Sequence, residues 1–526
     1  MSGRDGLAAA ARFAAAVALC AAWLAGCGPG RRADPTTIRI AVESDPATLD
    51  PALSVDVHSG RIGPLIAPGL VRFGRDLQPA PDLAFAWDVL DSGRAYRFTL
   101  RQGARFSDGT PVTSDLVKRS FERLLDPRTR SPRQWVLSRL AGAIAFRDGQ
   151  ASAVSGIETP DPEHVILRLE EPFAPFLSML AMPQAAILPA SFLNSTTAAT
   201  LSGAGPWAVD SWSRDDRIVL RANRASWRPP RAERLEMRIL PEPAMQMTDF
   251  EAGRLDIVQI PQADLARVRA APPAGSRLVS SPDLAVYYVG LSNDDPRLSD
   301  PRVRRALNMA VDLDALVKTF DGAGVRAHGA IPPGLPGYDS DRRPYAHDPA
   351  AARALLAEAG YADGFALMIL QREGSRFGRA LLAIQSDLAA VGVRVSIQSR
   401  EWGTMKETID NGKAEAFLAD WYADYPDGEN FLFPLFHSRN KGGGGNRARY
   451  RSARVDSLIE RAQSEPDAGR RAGLYREADG AVYDDAPWIY LWHPVNFLLV
   501  REELDGYEPH PLFYGQDFAG VSRKTP

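Results

Sequence analysis

The residues able to do chemistry are few and dispersed. Seven histidines, His58, His164, His328, His347, His437, His493 and His510, are spread along 526 residues with no metal-ligand spacing. There is no Gly-x-Ser-x-Gly elbow, no phosphate-binding Gly-x-x-x-x-Gly-Lys loop and no His-Glu-x-x-His pair. The two cysteines are Cys20 and Cys27, which excludes a disulfide scaffold, a cysteine zinc site or an iron–sulfur cluster in the body of the chain. No catalytic residue, metal site or cofactor is therefore expected, and the sequence reads as a binder, not an enzyme. Two polar clusters stand out: Arg372 with Arg376, and Trp421-Tyr422-Ala423-Asp424. A carboxylate is suited to an ammonium, and a guanidinium fork to a carboxylate.

Those clusters need elements to hold them. Phe365 to Leu370 reads as a buried strand. Phe377, Leu381, Ile384, Leu388 and Val391 then share one helical face, closed by Gly392, and Val393, Val395 and Ile397 alternate as the next strand. Such a strand–helix–strand unit implies two parallel strands with a right-handed crossover. A further strand near Ala414 to Ala419 follows the segment Trp402 to Asp410. In open parallel sheets ligands lie beyond the carboxyl ends of the strands, which is where both polar clusters fall.

Elsewhere, alternation predicts strands at Ile38-Ile40-Val42, Tyr96-Phe98-Leu100, Val165-Leu167-Leu169 and Leu235-Met237-Ile239. Asp300-Pro301 and Asp348-Pro349 each read as a helix start with proline in the first turn. Ser114 is expected to cap a helix over Val117–Leu125, stopped at Pro127.

Length suggests roughly three or four structural units at about 150 residues each. The formal net charge is −3, from 62 basic and 65 acidic residues, so nothing favours nucleic acid as a partner. Arg4 and Arg12 precede an apolar run from Phe13 to Leu24, ending in Leu24-Ala25-Gly26-Cys27. The run is too short to span a bilayer but suits a signal peptide, and the ending resembles a bacterial lipobox. Cleavage before Cys27 and acylation of its thiol and amine are expected, with Gly28 to Pro35 as a tether. No later segment has 18 consecutive apolar residues.

Six pieces, in order, carry a family resemblance: Ala47-Thr48-Leu49-Asp50-Pro51; Phe106 to Thr113 before a helix ending at Asp126-Pro127; Gly203-Ala204-Gly205-Pro206-Trp207; Val303 to Asn308 with Asp312 to Leu316; Asp348 to Tyr361; and Trp421 to Leu432. Together they make the chain similar to solute-binding protein family 5, the peptide and nickel class of ABC-importer binding proteins. The resemblance implies an α/β fold of the periplasmic-binding-protein type II. Two lobes close on a hinge around a cleft, and an extra domain is inserted in the first lobe.

The expected division is a lipoprotein signal peptide 1–26, a tether 27–35, a first lobe of 36–80, 200–295 and 488–526, an inserted domain 81–199, and a second lobe 296–487. The resemblance further implies a monomer, exported and lipid-anchored at a bacterial membrane. It would bind di- to oligopeptides and deliver them to a permease and ATPase complex. A nickel chelate or another non-peptide solute is the alternative within the family, and an exported hydrolase the alternative outside it.

A swallowed peptide brings a buried ammonium and often a buried carboxylate, each needing an opposite charge. The resemblance assigns the ammonium to Asp424, with Asp420 and Asp427 as neighbouring alternatives, and backbone contacts to Tyr422. It assigns the ligand carboxylate to Arg372, or to Arg376 in its place. Trp421 belongs to the same segment, and Trp402 and Trp207 are expected on the cleft wall.

Overall fold

A computed structural model describes residues 36–194, 201–375 and 377–524. The expected strands form as Thr37–Val42, Ala95–Leu100, His164–Arg168 and Arg234–Ile239. Strand–helix–strand patterning around residue 380 produces Ala366–Arg372, Gly378–Ala390 and Arg394–Arg400. The two strands are parallel, in register from Ala366 opposite Arg394 to Arg372 opposite Arg400. Asp300 and Asp348 cap their helices through side-chain oxygens that accept from Arg302 N–H and Ala351 N–H. Ser114 differs from expectation. It lies inside the helix Ser114–Leu125, and its hydroxyl donates to the Asp161 carbonyl at 2.5 Å, tying the helix to a neighbouring strand.

A twelve-stranded sheet runs through the molecule. From one edge the order is Arg394–Arg400, Ala366–Arg372, Ala416–Tyr422, Ala285–Leu291, Trp488–Arg501, Ile257–Gln259, Thr37–Val42, Arg234–Ile239, Arg217–Ala222 and Trp207–Ser213. Ser276–Pro282 and Gly324–Arg326 also pair with Trp488–Arg501. That 14-residue strand is shared. Its start is antiparallel to Ala285–Leu291, and its later part to Ser276–Pro282 and Ile257–Gln259. Hydrogen bonding thus carries residues 285–291 and 488–492 with the half that holds Ala366–Arg372, across the boundaries expected at 295 and 488. A separate four-stranded antiparallel sheet, ordered Ala84–Leu90, Ala95–Leu100, His164–Arg168, Ile157–Asp161, occupies the segment read as an insertion.

Aromatic packing fixes the shared strand. Trp488 stacks on Tyr288 at 3.5 Å between ring centroids, and Trp492 on Tyr287 at 5.1 Å. Such pairs add about 0.5–1.5 kcal/mol beyond the apolar area they bury. Beside them Arg304 is buried and forms no ion pair among the described residues. It donates to the carbonyls of Leu298, Ser299, Asp485 and Ala486, so a cation closes the C-terminal end of the helix Ala468–Asp485.

Close packing also explains one turn. A Cβ on Gly203 would stand 1.9 Å from the Ile66 carbonyl oxygen, at the end of the helix Val57–Ile66. Within that helix a Cβ on Gly63 meets nothing within 4 Å. Gly203→Ala is expected to destabilise by about 1–3 kcal/mol, because the backbones must part. Gly63→Ala is expected to be neutral or stabilising by up to about 1 kcal/mol, through reduced freedom of the unfolded chain. Urea titration of the two variants checks both signs.

Candidate functional site

Three parallel strands end on one edge of the sheet: Ala366–Arg372, Arg394–Arg400 and Ala416–Tyr422. Parallel pairing places Arg372, Trp402 and the Trp421–Asp424 segment along that edge. Asp424 sits between the strand Ala416–Tyr422 and the helix Glu429–Phe436. Its N–H donates to Asn430 Oδ1 at 2.8 Å, and its carbonyl accepts from the Tyr514 hydroxyl. The backbone is therefore held from both sides. Burial raises the carboxyl pKa, opposed by the charge of Arg133 and by hydrogen bonding from Arg133 and Asn430.

Arg133 is a partner that the sequence reading missed. Its Nη1 lies 3.1 Å from Asp424 Oδ1, and it comes from the segment between the helix Ser114–Leu125 and the strand Ile157–Asp161. The same two regions meet again where Trp135 packs on Tyr425 at 6.4 Å, and a later contact joins Ala174, whose N–H donates to the Gln463 carbonyl at 2.7 Å. Arg133 and Asp424 are 291 positions apart, so no local pattern could announce the pair.

Behind Asp424 lies a buried acidic group. Glu429 accepts from the Tyr425 hydroxyl and, at 2.6 Å, from Gln463 Nε2. Burial is the main reason its pKa is pushed from the usual 4.5 up to about 7, helped by the nearby Asp427 charge. Asp427 accepts from Glu429 N–H at 2.9 Å and is likewise raised by burial. Asp427 is thus committed to this loop, while Asp424 stands closer to solvent.

The remaining expected site residues fall in different settings. Arg372 is exposed and forms no ion pair among the described residues. Its charge adds to backbone hydrogen bonds in holding the Glu401 carboxyl below its usual value. Trp402, 41% exposed, begins the helix Trp402–Asp410. The Tyr422 hydroxyl is 2.9 Å from that of Tyr287. Trp421 packs against the core, with its Nε1 buried and without a hydrogen-bond partner among the described residues. Trp207 departs from expectation: it is fully buried in a core with Ile38, Leu65 and Leu235, not on a wall. Arg376 and Cys27 lie outside the described residues. Among the described residues no group of three or more His, Cys, Asp or Glu could hold a metal, and no helix is long and apolar enough to cross a membrane.

Comparison with known proteins gives a consistent picture. Residues 78–443 match the model described as bacterial extracellular solute-binding proteins, family 5 Middle. The chain is 31% identical to di/tripeptide-binding protein 2 of Pseudomonas aeruginosa, over 93% of this chain and 95% of that one. It is 30% identical to the dipeptide-binding protein of Escherichia coli, over 82% and 84%. Among solved structures, the periplasmic binding protein DppA of Helicobacter pylori, in complex with the peptide STSA, superposes with a TM-score of 0.77 at 25% identity, covering 93% of this chain and 98% of that one.

The buried Glu429 makes a pH prediction. Its folded pKa lies above its unfolded value, so its stabilising contribution is full below about pH 4.5 and is lost as pH rises through about 7. The loss is on the order of 3 kcal/mol. Glu429→Gln keeps the shape and cannot ionise. Its melting temperature should fall less than that of the parent between pH 5 and 8, and parallel curves in a thermal scan would contradict this.

Proposed function

Because this chain belongs to the bacterial extracellular solute-binding proteins of family 5, we propose that it captures short peptides outside the cytoplasmic membrane. It would then pass them to the permease and ATPase of an ABC importer. Two lobes of the type II binding fold supply the walls, joined through the shared strand Trp488–Arg501. The observation that carries the reading is Asp424, a carboxylate raised by burial and already facing a cation brought from a remote part of the chain. A ligand's free ammonium offers Asp424 the same charge as Arg133, and closure around it removes both ions from water. The relatives named for dipeptides and tripeptides set the expected ligand class. The ligand is bound and released, with no bond broken.

Asp424→Asn keeps the amide-sized shape but loses the charge. It should weaken binding of unblocked dipeptides by about 2–5 kcal/mol, roughly 30-fold or more. N-acetylated dipeptides should bind the parent protein poorly for the complementary reason. Isothermal titration measures both, and unchanged affinity in Asp424→Asn contradicts the assignment. Native mass spectrometry of protein purified without refolding identifies the ligand class directly. A ladder of intact short peptides is expected, and a metal chelate or cleaved products would point to the other readings.

Anchoring completes the proposal. Cys27 would carry the acyl chains that hold the exported protein at a membrane surface without spanning it. In a bacterial host the parent should fractionate with membranes. Cys27→Ser should appear as soluble exported protein or as uncleaved precursor, and a fully soluble parent would contradict lipidation.

A further inference from the structure

A ligand ammonium at Asp424 changes the balance of charge there. Without a ligand, Arg133 is the charge that acts on this carboxylate, its Nη1 lying 3.1 Å from Oδ1. An arriving ammonium sets two cations against one carboxylate. The Arg133 and Asp424 side chains keep 22% and 24% exposure, so a ligand group can reach either of them.

Within the protein, Arg133 has no second anion to turn to. The two carboxylates behind Asp424 are engaged: Asp427 accepts from Glu429 N–H, and Glu429 accepts from the Tyr425 hydroxyl and from Gln463 Nε2. The other surroundings of Arg133 are uncharged. Its guanidinium lies 5.9 Å from the Trp135 ring centroid, and its Nε is buried without a hydrogen-bond partner among the described residues. A guanidinium carries donors only. Displaced from Asp424, it would stand partly buried with an unpaired charge, which is strongly unfavourable. A ligand that takes Asp424 and offers Arg133 nothing therefore binds worse than one that also supplies an anion.

That anion must lie beside the ammonium. An Asp or Glu side chain on the ligand's first residue starts from the carbon that bears the ammonium, so its carboxylate stays near both charges. The second residue's side chain starts about 3.8 Å further on and points to the opposite face of an extended chain. The C-terminal carboxylate of a dipeptide lies at the other end of a span of up to about 7 Å. Only the first side chain is placed to meet Arg133 while the ammonium meets Asp424.

We propose that Arg133 is a specificity-determining residue, through which the protein favours peptides that begin with Asp or Glu. The terminal ammonium pairs with Asp424, and the side-chain carboxylate of the same ligand residue pairs with Arg133. This inference rests on the peptide-binding reading above and deepens it by naming the preferred first residue.

The test titrates Glu-Ala, Gln-Ala, Ala-Glu and Ala-Gln into the parent and into Arg133→Gln. The parent should bind Glu-Ala about tenfold or more tightly than Gln-Ala, and should bind Ala-Glu and Ala-Gln within about threefold of each other. In Arg133→Gln the preference for Glu-Ala should shrink to about threefold or less. Gln-Ala should then bind about threefold or more tightly than it does to the parent, because its ammonium no longer shares Asp424. A gain in affinity is a result that a folding defect does not imitate. Equal affinity of the parent for Glu-Ala and Gln-Ala overturns the proposal without any variant, and leaves the peptide reading standing. A preference for Glu-Ala that survives in Arg133→Gln overturns it too, as does an equal preference of the parent for Ala-Glu over Ala-Gln. Failure of all four dipeptides to bind the parent brings down the peptide reading itself, and this inference with it.

Discussion

A carboxylate held largely out of water is the constraint on which the site depends. Asp424 keeps only part of its hydration, so it is stabilised by a cation and by a fixed backbone to meet that cation. The chain supplies both from distant places. Asn430 grips its N–H, Tyr514 its carbonyl and Arg133 its carboxylate. Burial lifts the Tyr514 hydroxyl pKa well above 10, with the Asp424 charge adding to the effect, so the phenol stays a donor. The arrangement is neutral as it stands. A ligand's ammonium must therefore share Asp424 with Arg133 or displace it, and a zwitterionic ligand leaves the total charge unchanged.

The sheet explains how remote residues reach one point. Trp488–Arg501 hydrogen-bonds to strands of both halves, so the halves share a backbone and not merely a contact. Stacking of Trp488 and Trp492 on Tyr288 and Tyr287 anchors its first part on Ala285–Leu291, whose other neighbour, Ala416–Tyr422, ends near Asp424. Its later part leads into the tail that carries Tyr514. Polar groups at the meeting surface are satisfied in a chain from Tyr425 through Glu429 to Gln463, which fixes the loop behind Asp424 without using Asp424 itself.

Much of this was legible in the sequence where local rules govern. The period of Phe377, Leu381, Ile384 and Leu388 and the alternation after Gly392 produce the observed helix and parallel strand. Asp300 and Asp348 cap as their spacing with proline implies. The edge bearing Arg372, Trp402 and Trp421–Asp424 follows from strand direction alone. What was not legible depends on contacts far apart in the chain. Arg133 reads as one surface arginine among many until folding sets it against Asp424. Trp207 has the same local signature whether it faces a core or a cleft. Ser114 has the residue type of a cap, yet a strand carbonyl competes for its hydroxyl. A strand shared between two halves also looks like any other alternating segment, so boundaries at 295 and 488 could not anticipate its pairing.

The central claim is that Asp424 receives a ligand's ammonium in the presence of Arg133. A crystal structure of the protein with a bound dipeptide tests it most directly. The account predicts the ligand's terminal nitrogen about 3 Å from an Asp424 carboxylate oxygen, with Arg133 either sharing that carboxylate or turned away from it. A dipeptide bound with its ammonium on another acidic residue, while Arg133 and Asp424 remain paired as they are here, would contradict it.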